Sequence, residues 1–132
     1  MHRNTYLNAP RVMDAGFMSK DGTLVAFAGQ LTGVEGYVES ICSGLLAAEN
    51  LRLAARGKGR LVLPPETVAG QLQRHVSRES DNYQPMNANF GLLPPVREEI
   101  KDKKQRKLAF YTRGMQAIGR FLEDARKEEI WN

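Results

Sequence analysis

The apolar positions in the middle of the chain follow the spacing of a helix. Each of them lies three, four or seven positions from another: Val38, Ile41, Cys42, Leu45, Leu46 and Leu53. This spacing places them on one side of an α-helix. Gly57 comes next, and glycine is the residue that most readily takes the left-handed conformation found after a helix. The pattern predicts a helix over residues 37–56.

Ahead of this helix, the short apolar run LVAFAG follows the turn signal Asp21-Gly22 and predicts a strand over residues 24–28. Gly29, Gly33 and Gly36 then lead into the helix. A strand, a glycine-rich turn and a helix together direct free backbone N–H groups and a positive helix end at an anionic or electron-rich ligand. The spacing GxxxGxxG is not GxGxxG and is not a P-loop. A tight connection with close helix packing is an equal alternative.

Two more helices are predicted further along. Residues 64–67, PPET, suit a helix start, and we expect a short helix over residues 67–76. From residue 96 an apolar stripe predicts a second helix, which Gly114 should interrupt. The loop between them carries large apolar groups that must pack against something. The fold expected for the chain by itself is α+β, mainly helical with a few short strands.

Composition narrows the class of protein. The chain has 132 residues, a net charge of +4 and one cysteine, Cys42. It fits a single region that can bury a core, contains no membrane-length apolar run, and cannot form an internal disulfide, so we expect a cytoplasmic protein. One cysteine and two separated histidines give no metal site. Cys42 has apolar neighbours on its helix and is expected to be an inert hydrophobic residue.

Four segments in order carry a family resemblance: HRNTYLNAP, GQLTGVEGYVESICSGLLAA, PPET and YQPMNANFGLLPP. Together they resemble the C-terminal part of the folate- and FAD-dependent bacterial tRNA (uracil-5-)-methyltransferases, relatives of the GidA-type flavoproteins. The resemblance implies the C-terminal part of a larger α/β, Rossmann-like FAD-binding enzyme. Such an enzyme transfers a one-carbon unit from methylenetetrahydrofolate to C5 of the T-loop uridine of tRNA (uridine 54), and NAD(P)H restores the flavin.

The resemblance also implies which residues bind ligands. The expected FAD contacts are Gly29, Gln30, Thr32, Gly33, Val34 and Glu35. His2 would stack on the folate ring, and Arg3 and Asn4 would bond the pterin edge. Residues 1–63 would form the ligand-site region, and residues 64–132 a helical and loop region ending in a basic helix.

The basic segment REEIKDKKQRK, residues 97–107, is the candidate tRNA surface. Its cations could follow a phosphate backbone with salt-dependent affinity: Lys101, Lys103, Lys104, Arg106 and Lys107. The alternative is an exposed helix laced with opposite charges, such as Glu99 with Lys103.

The chain departs from a whole enzyme in two respects. It has no strand–GxGxxG–helix unit for the FAD pyrophosphate, and the catalytic cysteine of the family lies upstream of the matched region. We therefore expect no catalytic residue and no methyl transfer without the missing N-terminal FAD-binding half. A noncatalytic tRNA- or protein-binding module derived from that enzyme is the alternative. A third possibility is an unstable remnant whose exposed apolar groups cause aggregation.

Overall fold

The computed structural model describes residues 5–97 and 99–128. Its elements are α1 (Ala9–Val12), β1 (Val34–Glu35), α2 (Tyr37–Ala55), α3 (Val68–Ser77), β2 (Met86–Asn87) and α4 (Lys103–Lys127), with 3-10 turns at Gly29–Thr32 and Phe90–Leu92. β1 and β2 form a two-stranded parallel sheet in which Val34 is opposite Met86. The expectation of a mainly helical chain with a few short strands is confirmed for the described residues.

α2 confirms the most regular pattern of the sequence, but a different side of the helix is buried. It spans Tyr37–Ala55, and Gly57 follows with a φ of 68°. The buried side consists mainly of small or polar residues: Ser43, Leu46, Ala47, Asn50 and Leu53. Val38, Ile41 and Leu45 are 76%, 65% and 69% exposed. Together with exposed Tyr37, these three residues are called the α2 apolar face below.

The predicted strand over residues 24–28 is wrong. Only an isolated antiparallel bridge between Met18 and Ala26 forms there, and Leu24 is 60% exposed. The amide of Phe27 donates to the Phe17 carbonyl at 2.9 Å, so the segment folds back on residues 17–19 as an irregular hairpin. Phe17 has a φ of 62°, and this left-handed residue interrupts the extended backbone that a continuous ladder requires.

α3 confirms the short helix to within one residue at each end. Thr67 is its N-cap, and the Thr67 hydroxyl accepts a hydrogen bond from the Gly70 amide at 3.0 Å. A side-chain oxygen that satisfies one of the free first-turn amides is the usual reason for threonine at this position. The helix therefore starts after the prolines at positions 64 and 65, which precede the cap.

α4 runs without a break from Lys103 to Lys127, so the interruption predicted at Gly114 is wrong. The glycine serves packing instead. A Cβ at Gly114 would lie 3.2 Å from the Glu66 carbonyl oxygen, so the absent side chain lets α4 approach the start of α3 closely. The helix also begins at residue 103 rather than 96, because Asp102 is its N-cap and accepts from the Gln105 amide at 2.8 Å.

Two buried amide side chains hold the middle of the chain together. Asn50, on α2, donates to the Leu61 carbonyl and accepts from the Leu61 amide, at 3.0 and 2.6 Å. Gln73, on α3, accepts from the Leu63 amide at 2.8 Å and donates to the carbonyls of Leu61 and Ala15. These bonds satisfy the backbone of residues 61–63 where no strand is available, and each would be costly to leave unmade in the core.

Candidate functional site

The glycine loop between residues 29 and 36 has the backbone geometry that its sequence predicts. Gly29, Gly33 and Gly36 have φ values of 71°, 82° and 107°, all in a region that other residues rarely adopt. Gly29 opens the 3-10 turn, Gly33 joins it to β1, and Gly36 is the N-cap of α2. Three left-handed residues within eight positions therefore set the direction in which α2 begins.

Most polar groups inside the loop bond to one another. The Gly29 amide donates to the Ser43 hydroxyl oxygen at 2.8 Å, and the Thr32 hydroxyl donates to the Gly29 carbonyl at 2.7 Å. The Gly33 amide donates to the Gln30 carbonyl at 3.0 Å. Thr32 and Val34 are fully buried. Among the predicted FAD contacts, the side chains of Thr32 and Val34 thus face the interior and support the loop from behind.

An open cavity of about 340 Å³ lies on the outer side of the loop, lined by Gln30, Gly36, Tyr37 and Ser40. Only Gln30 of this set is among the predicted contacts. Sequence reasoning missed Tyr37 and Ser40. Both lie at the start of α2, and residues three positions apart lie on the same side of a helix. Tyr37 is 92% exposed.

The N-terminus of α2 has no side-chain cap, since Gly36 carries none. The first amides of a helix lack partners within it. The Glu39 carboxylate folds back so closely that a Cβ at Gly36 would overlap it, and its Oε1 accepts from the Ala88 amide at 3.2 Å. A first-turn carboxylate interacts favourably with the positive helix end. It also ties the glycine loop to the segment that follows β2.

Cys42 lies one turn beyond this carboxylate. Burial raises the pKa of its thiol, and the negative charge of Glu39 raises it further. Because a raised pKa lowers the fraction of thiolate near neutral pH, Cys42 is a poor nucleophile. This agrees with its expected role as an inert packing residue.

Tyr83 anchors the glycine loop from the opposite side. Sequence reasoning expected the large side chains of its segment to be packed but did not identify the glycine loop as the partner of Tyr83. Its hydroxyl donates to the Thr32 carbonyl at 2.5 Å. A Cβ at Gly33 would lie 2.6 Å from that hydroxyl oxygen. Burial raises the pKa of Tyr83 to about 12, with a smaller contribution from Tyr6. The sequence feature that could have indicated this contact is a large aromatic residue in a loop rich in Asn and Pro.

His75 packs on Tyr83, with ring centroids 4.9 Å apart. One of its ring nitrogens, Nε2, lies 2.9 Å from the Gln84 carbonyl oxygen. His75 is thus partnered, although its spacing along the sequence suggests no partner. The contacts arise because the chain returns past α3 after residue 80, which spacing along the sequence does not reveal.

The basic segment lies at the start of α4, and part of it shares a groove with aromatic residues. All five predicted tRNA-binding cations are exposed. Three of them, Lys103, Arg106 and Lys107, line a groove of about 400 Å³ together with Phe90, Gly91, Leu93, Pro95 and Phe110. We call this the cationic groove. Lys101 and Lys104 lie near it in sequence but do not line it.

The electrostatics of α4 differ from those of a helix laced with opposite charges. Its first turn contains no acidic residue, and lysines at its first positions face the positive end of the helix dipole. In residues 5–97 and 99–128, the only ion pairs are Arg52 with Glu49 and Arg60 with Asp14. The proposed pairing of Glu99 with Lys103 does not form. Lys103 and Lys107 thus have no ion-pair partner among the described residues.

Three predicted ligand residues, His2, Arg3 and Asn4, lie outside the described residues. Within the described part of the chain, no group of three His, Cys, Asp or Glu side chains is arranged to hold a metal ion. None of the described helices combines the length and apolar character needed to cross a bilayer.

A glycine loop beside a helix N-terminus and a cationic groove are the two most distinctive features of the described residues. The family model described as glucose inhibited division protein A, GidA, matches residues 1–59. The resemblance to GidA-related proteins predicted from the sequence is confirmed.

More specific relatives share nearly the whole chain. The methylenetetrahydrofolate–tRNA-(uracil-5-)-methyltransferase TrmFO of Brevibacillus brevis is 43% identical over 125 residues, which is 94% of this chain and 29% of that protein. TrmFO of Bacillus mycoides is 44% identical over 92% of this chain and 28% of its own length. The chain therefore spans less than a third of the length of the curated relatives it matches.

Proposed function

We propose that this chain is the C-terminal part of a methylenetetrahydrofolate–tRNA-(uracil-5-)-methyltransferase, an FAD-dependent enzyme that forms 5-methyluridine in the T-loop of tRNA. The observation that carries the proposal is the 43–44% identity over 92–94% of the chain to proteins whose names state this activity. The catalytic residues would lie in the remaining part of the enzyme. Residues 1–63 would supply ligand contacts, residues 64–132 would supply the tRNA surface, and the enzyme would work in the cytoplasm.

The glycine loop fits the edge of a flavin ring. Gly36 and Gln30 line the open cavity, and the uncapped first turn of α2 offers backbone N–H donors there. Gly29 and Gly33 would set the path of the backbone, with Thr32 and Val34 supporting it, and Glu35 is half-buried beside them. Bound FAD, restored by NAD(P)H, would supply the electrons of the reaction. The residues of this chain would orient the ring and polarise its edge.

The folate contacts His2, Arg3 and Asn4 remain a prediction from the family resemblance. An imidazole at this position would stack on the pterin ring, and the guanidinium and amide would offer hydrogen-bond donors to its edge.

The α2 apolar face supports the proposal that an N-terminal FAD-binding half completes the fold. A row of exposed apolar side chains on one helix is unusual on an isolated domain. The row begins at Tyr37, beside the glycine loop, so the same partner that covers it could contribute the rest of the flavin site. A Rossmann-like sheet carries the apolar surface that such a helix requires.

The proposal is tested by a chimera in which this chain replaces the matched segment of Brevibacillus brevis TrmFO. We expect the chimera to bind FAD and to form 5-methyluridine in tRNA transcripts supplied with methylenetetrahydrofolate and NAD(P)H. The readout is mass spectrometry of nucleosides from digested tRNA. The matched control is the same chimera with Gly33→Val, whose branched side chain cannot occupy the space taken by Tyr83.

A folded chimera that retains FAD and the tRNA yet forms no 5-methyluridine would contradict the proposal. The second candidate function, a noncatalytic tRNA-binding module, is favoured by one observation, the cationic groove. It predicts that the chain alone binds tRNA with steep salt dependence and that the binding is unaffected by FAD.

A further inference from the structure

The cationic groove contains a prepared aromatic surface beside its charges. The rings of Phe90 and Phe110 are stacked, with centroids 6.0 Å apart and planes 11° from parallel. The guanidinium carbon of Arg113 lies 5.2 Å from the centroid of the Phe110 ring. Phe110 is thus engaged by two neighbours, whereas Phe90 is 39% exposed and can accept a further ring.

Hydrogen bonds hold this surface in place. Arg113 donates to the carbonyls of Pro94 and Pro95, at 2.5 and 2.9 Å, and so fastens the loop to α4. The Asn89 carboxamide oxygen accepts from the Gly91 amide at 2.8 Å and caps the turn that carries Phe90. The aromatic surface therefore does not need to be assembled when a ligand arrives, which lowers the entropic cost of binding.

The charged side chains that line the cationic groove are all basic. Lys103, Arg106 and Lys107 line the groove, and no acidic side chain of residues 5–97 or 99–128 does. Arg106 is partly committed, since its Nε donates to the Ile100 carbonyl at 3.0 Å. The ammonium groups of Lys103 and Lys107 have no ion-pair partner among the described residues. A ligand that suits the groove must therefore combine a flat apolar ring with anionic groups.

We propose that the cationic groove binds an unpaired nucleotide segment of RNA, with one base stacked on Phe90 and adjacent phosphates contacted by Lys103 and Lys107. Because the two phenylalanine rings already stack on each other, the base extends the stack on the exposed side of Phe90. Aromatic stacking next to a cationic track is the general means by which proteins hold single-stranded nucleic acid. This inference rests on the proposed function, to which it adds a contact with bases.

The experiment separates stacking from charge by using two RNA probes. One is an oligouridylate roughly eight nucleotides long, within the span of typical single-strand sites. The other has the same phosphates and riboses but lacks the bases. Affinity of the full chain for each is measured by filter binding over a range of salt concentrations. We expect the intact RNA to bind about tenfold more tightly than the abasic RNA, as one stacked base provides.

Variants then test whether the preference for intact over abasic RNA arises in the cationic groove. Phe90→Ala should bind both RNAs equally, and Phe90→Trp should keep the preference. Leu108→Ala is the matched control, since Leu108 is an exposed apolar residue of α4 that does not line the groove. Replacing Lys103 and Lys107 by alanine should weaken both RNAs by the same factor and leave the preference intact. Circular dichroism of each variant verifies that the helices remain formed.

The outcomes distinguish base stacking on Phe90 from phosphate binding by the cations of α4. If the wild-type chain binds both RNAs with equal affinity, stacking on Phe90 is wrong while the cationic tRNA surface stands. If Phe90→Ala retains the preference for intact RNA, the base is bound elsewhere and the inference is also wrong. If neither RNA binds at any salt concentration, both the inference and the proposed tRNA surface of α4 are overturned.

Discussion

The N-termini of α2 and α4 differ in almost every feature that controls what a helix end can bind. α2 starts at a glycine with no side-chain cap, has Glu39 in its first turn and is reached through three left-handed residues. α4 starts at the capping carboxylate of Asp102 and has lysines in its first turn. The N-terminus of α2 offers backbone N–H donors in a fixed geometry and carries little net charge. The N-terminus of α4 concentrates positive charge.

The contrast is consistent with the different ligands proposed for the two helix ends. A neutral, flat ring edge is recognised by fixed N–H groups whose position is set by the backbone. A polyanion is recognised by mobile cations, and placing those cations at the positive end of a helix costs stability. Because α4 accepts that cost, its charges are more readily explained by binding than by folding. The following predictions test each side of the contrast, starting with the largest effect.

Gly33→Ala should destabilise the chain by about 3 kcal/mol, combining a left-handed alanine with overlap against Tyr83. Urea unfolding followed by circular dichroism measures the effect. Gly44→Ala is the matched control on α2, where no atom lies within 4 Å of the added methyl group. That variant should be more stable than wild type by about 0.5–1 kcal/mol. Equal effects at both sites would show that the loop is not held by Tyr83.

Tyr83→Phe should cost about 1–2 kcal/mol, because the Thr32 carbonyl loses its buried donor. It should also change the pH dependence of stability. The folded pKa of Tyr83, about 12, lies above the value near 10 of an exposed tyrosine. Unfolding therefore releases a proton in this range, and the stability that Tyr83 contributes is lost as pH rises from about 10 to 12.

The wild type and Tyr83→Phe are compared by urea unfolding across that pH range, so that the other titrating groups cancel. The difference in stability between them should shrink as pH rises. A difference that stays constant through pH 12 would mean that the Tyr83 hydroxyl is not buried in solution.

Asp102→Ala should lower stability by about 1 kcal/mol by removing the N-cap of α4. The loss should be confined to that helix, since Asp102 caps no other element. Hydrogen exchange measured by mass spectrometry should show faster exchange near residues 103–106, with α2 unchanged. Asp102→Asn is the control, because an asparagine side chain also caps a helix and should retain most of the stability.

Lys103→Glu has the smallest expected effect on the free energy of unfolding, and it should stabilise the chain rather than destabilise it. A carboxylate in the first turn of α4 should raise stability by roughly 0.5 kcal/mol at low salt. The same change should weaken RNA binding and reduce the salt dependence of the affinity by about one counterion. Lys127→Glu reverses a charge at the other end of the helix and should do neither. Lower stability for Lys103→Glu would show that Lys103 has a structural partner.

Sequence reasoning succeeded where the relevant interactions are local. The N-cap of α3 and the length of α2 depend on residues within a few positions of one another, and both agree with the prediction to within one residue. The glycine-rich turn before α2 was likewise predicted, and its glycines at positions 29, 33 and 36 adopt positive φ. Family resemblance identified the relatives from short ordered segments that need no structure.

It failed where a distant segment decides the outcome. The strand over residues 24–28 lacks a continuous partner because Phe17 is left-handed. α4 passes Gly114 unbroken because the start of α3 lies against that glycine. Tyr83 supports the glycine loop from 51 residues away in sequence. No periodicity in the chain encodes such contacts.

The sequence by itself determined α2, α3, the glycine-rich turn and the family resemblance, because each depends on backbone preferences or short segments. Only the tertiary structure decided which faces are buried. It buried the side of α2 that carries Ser43 and Asn50 and left Val38, Ile41 and Leu45 exposed. It also brought Phe90 beside the cations of α4. Burial and juxtaposition depend on how distant segments pack, and packing is a property of the whole fold rather than of any one segment.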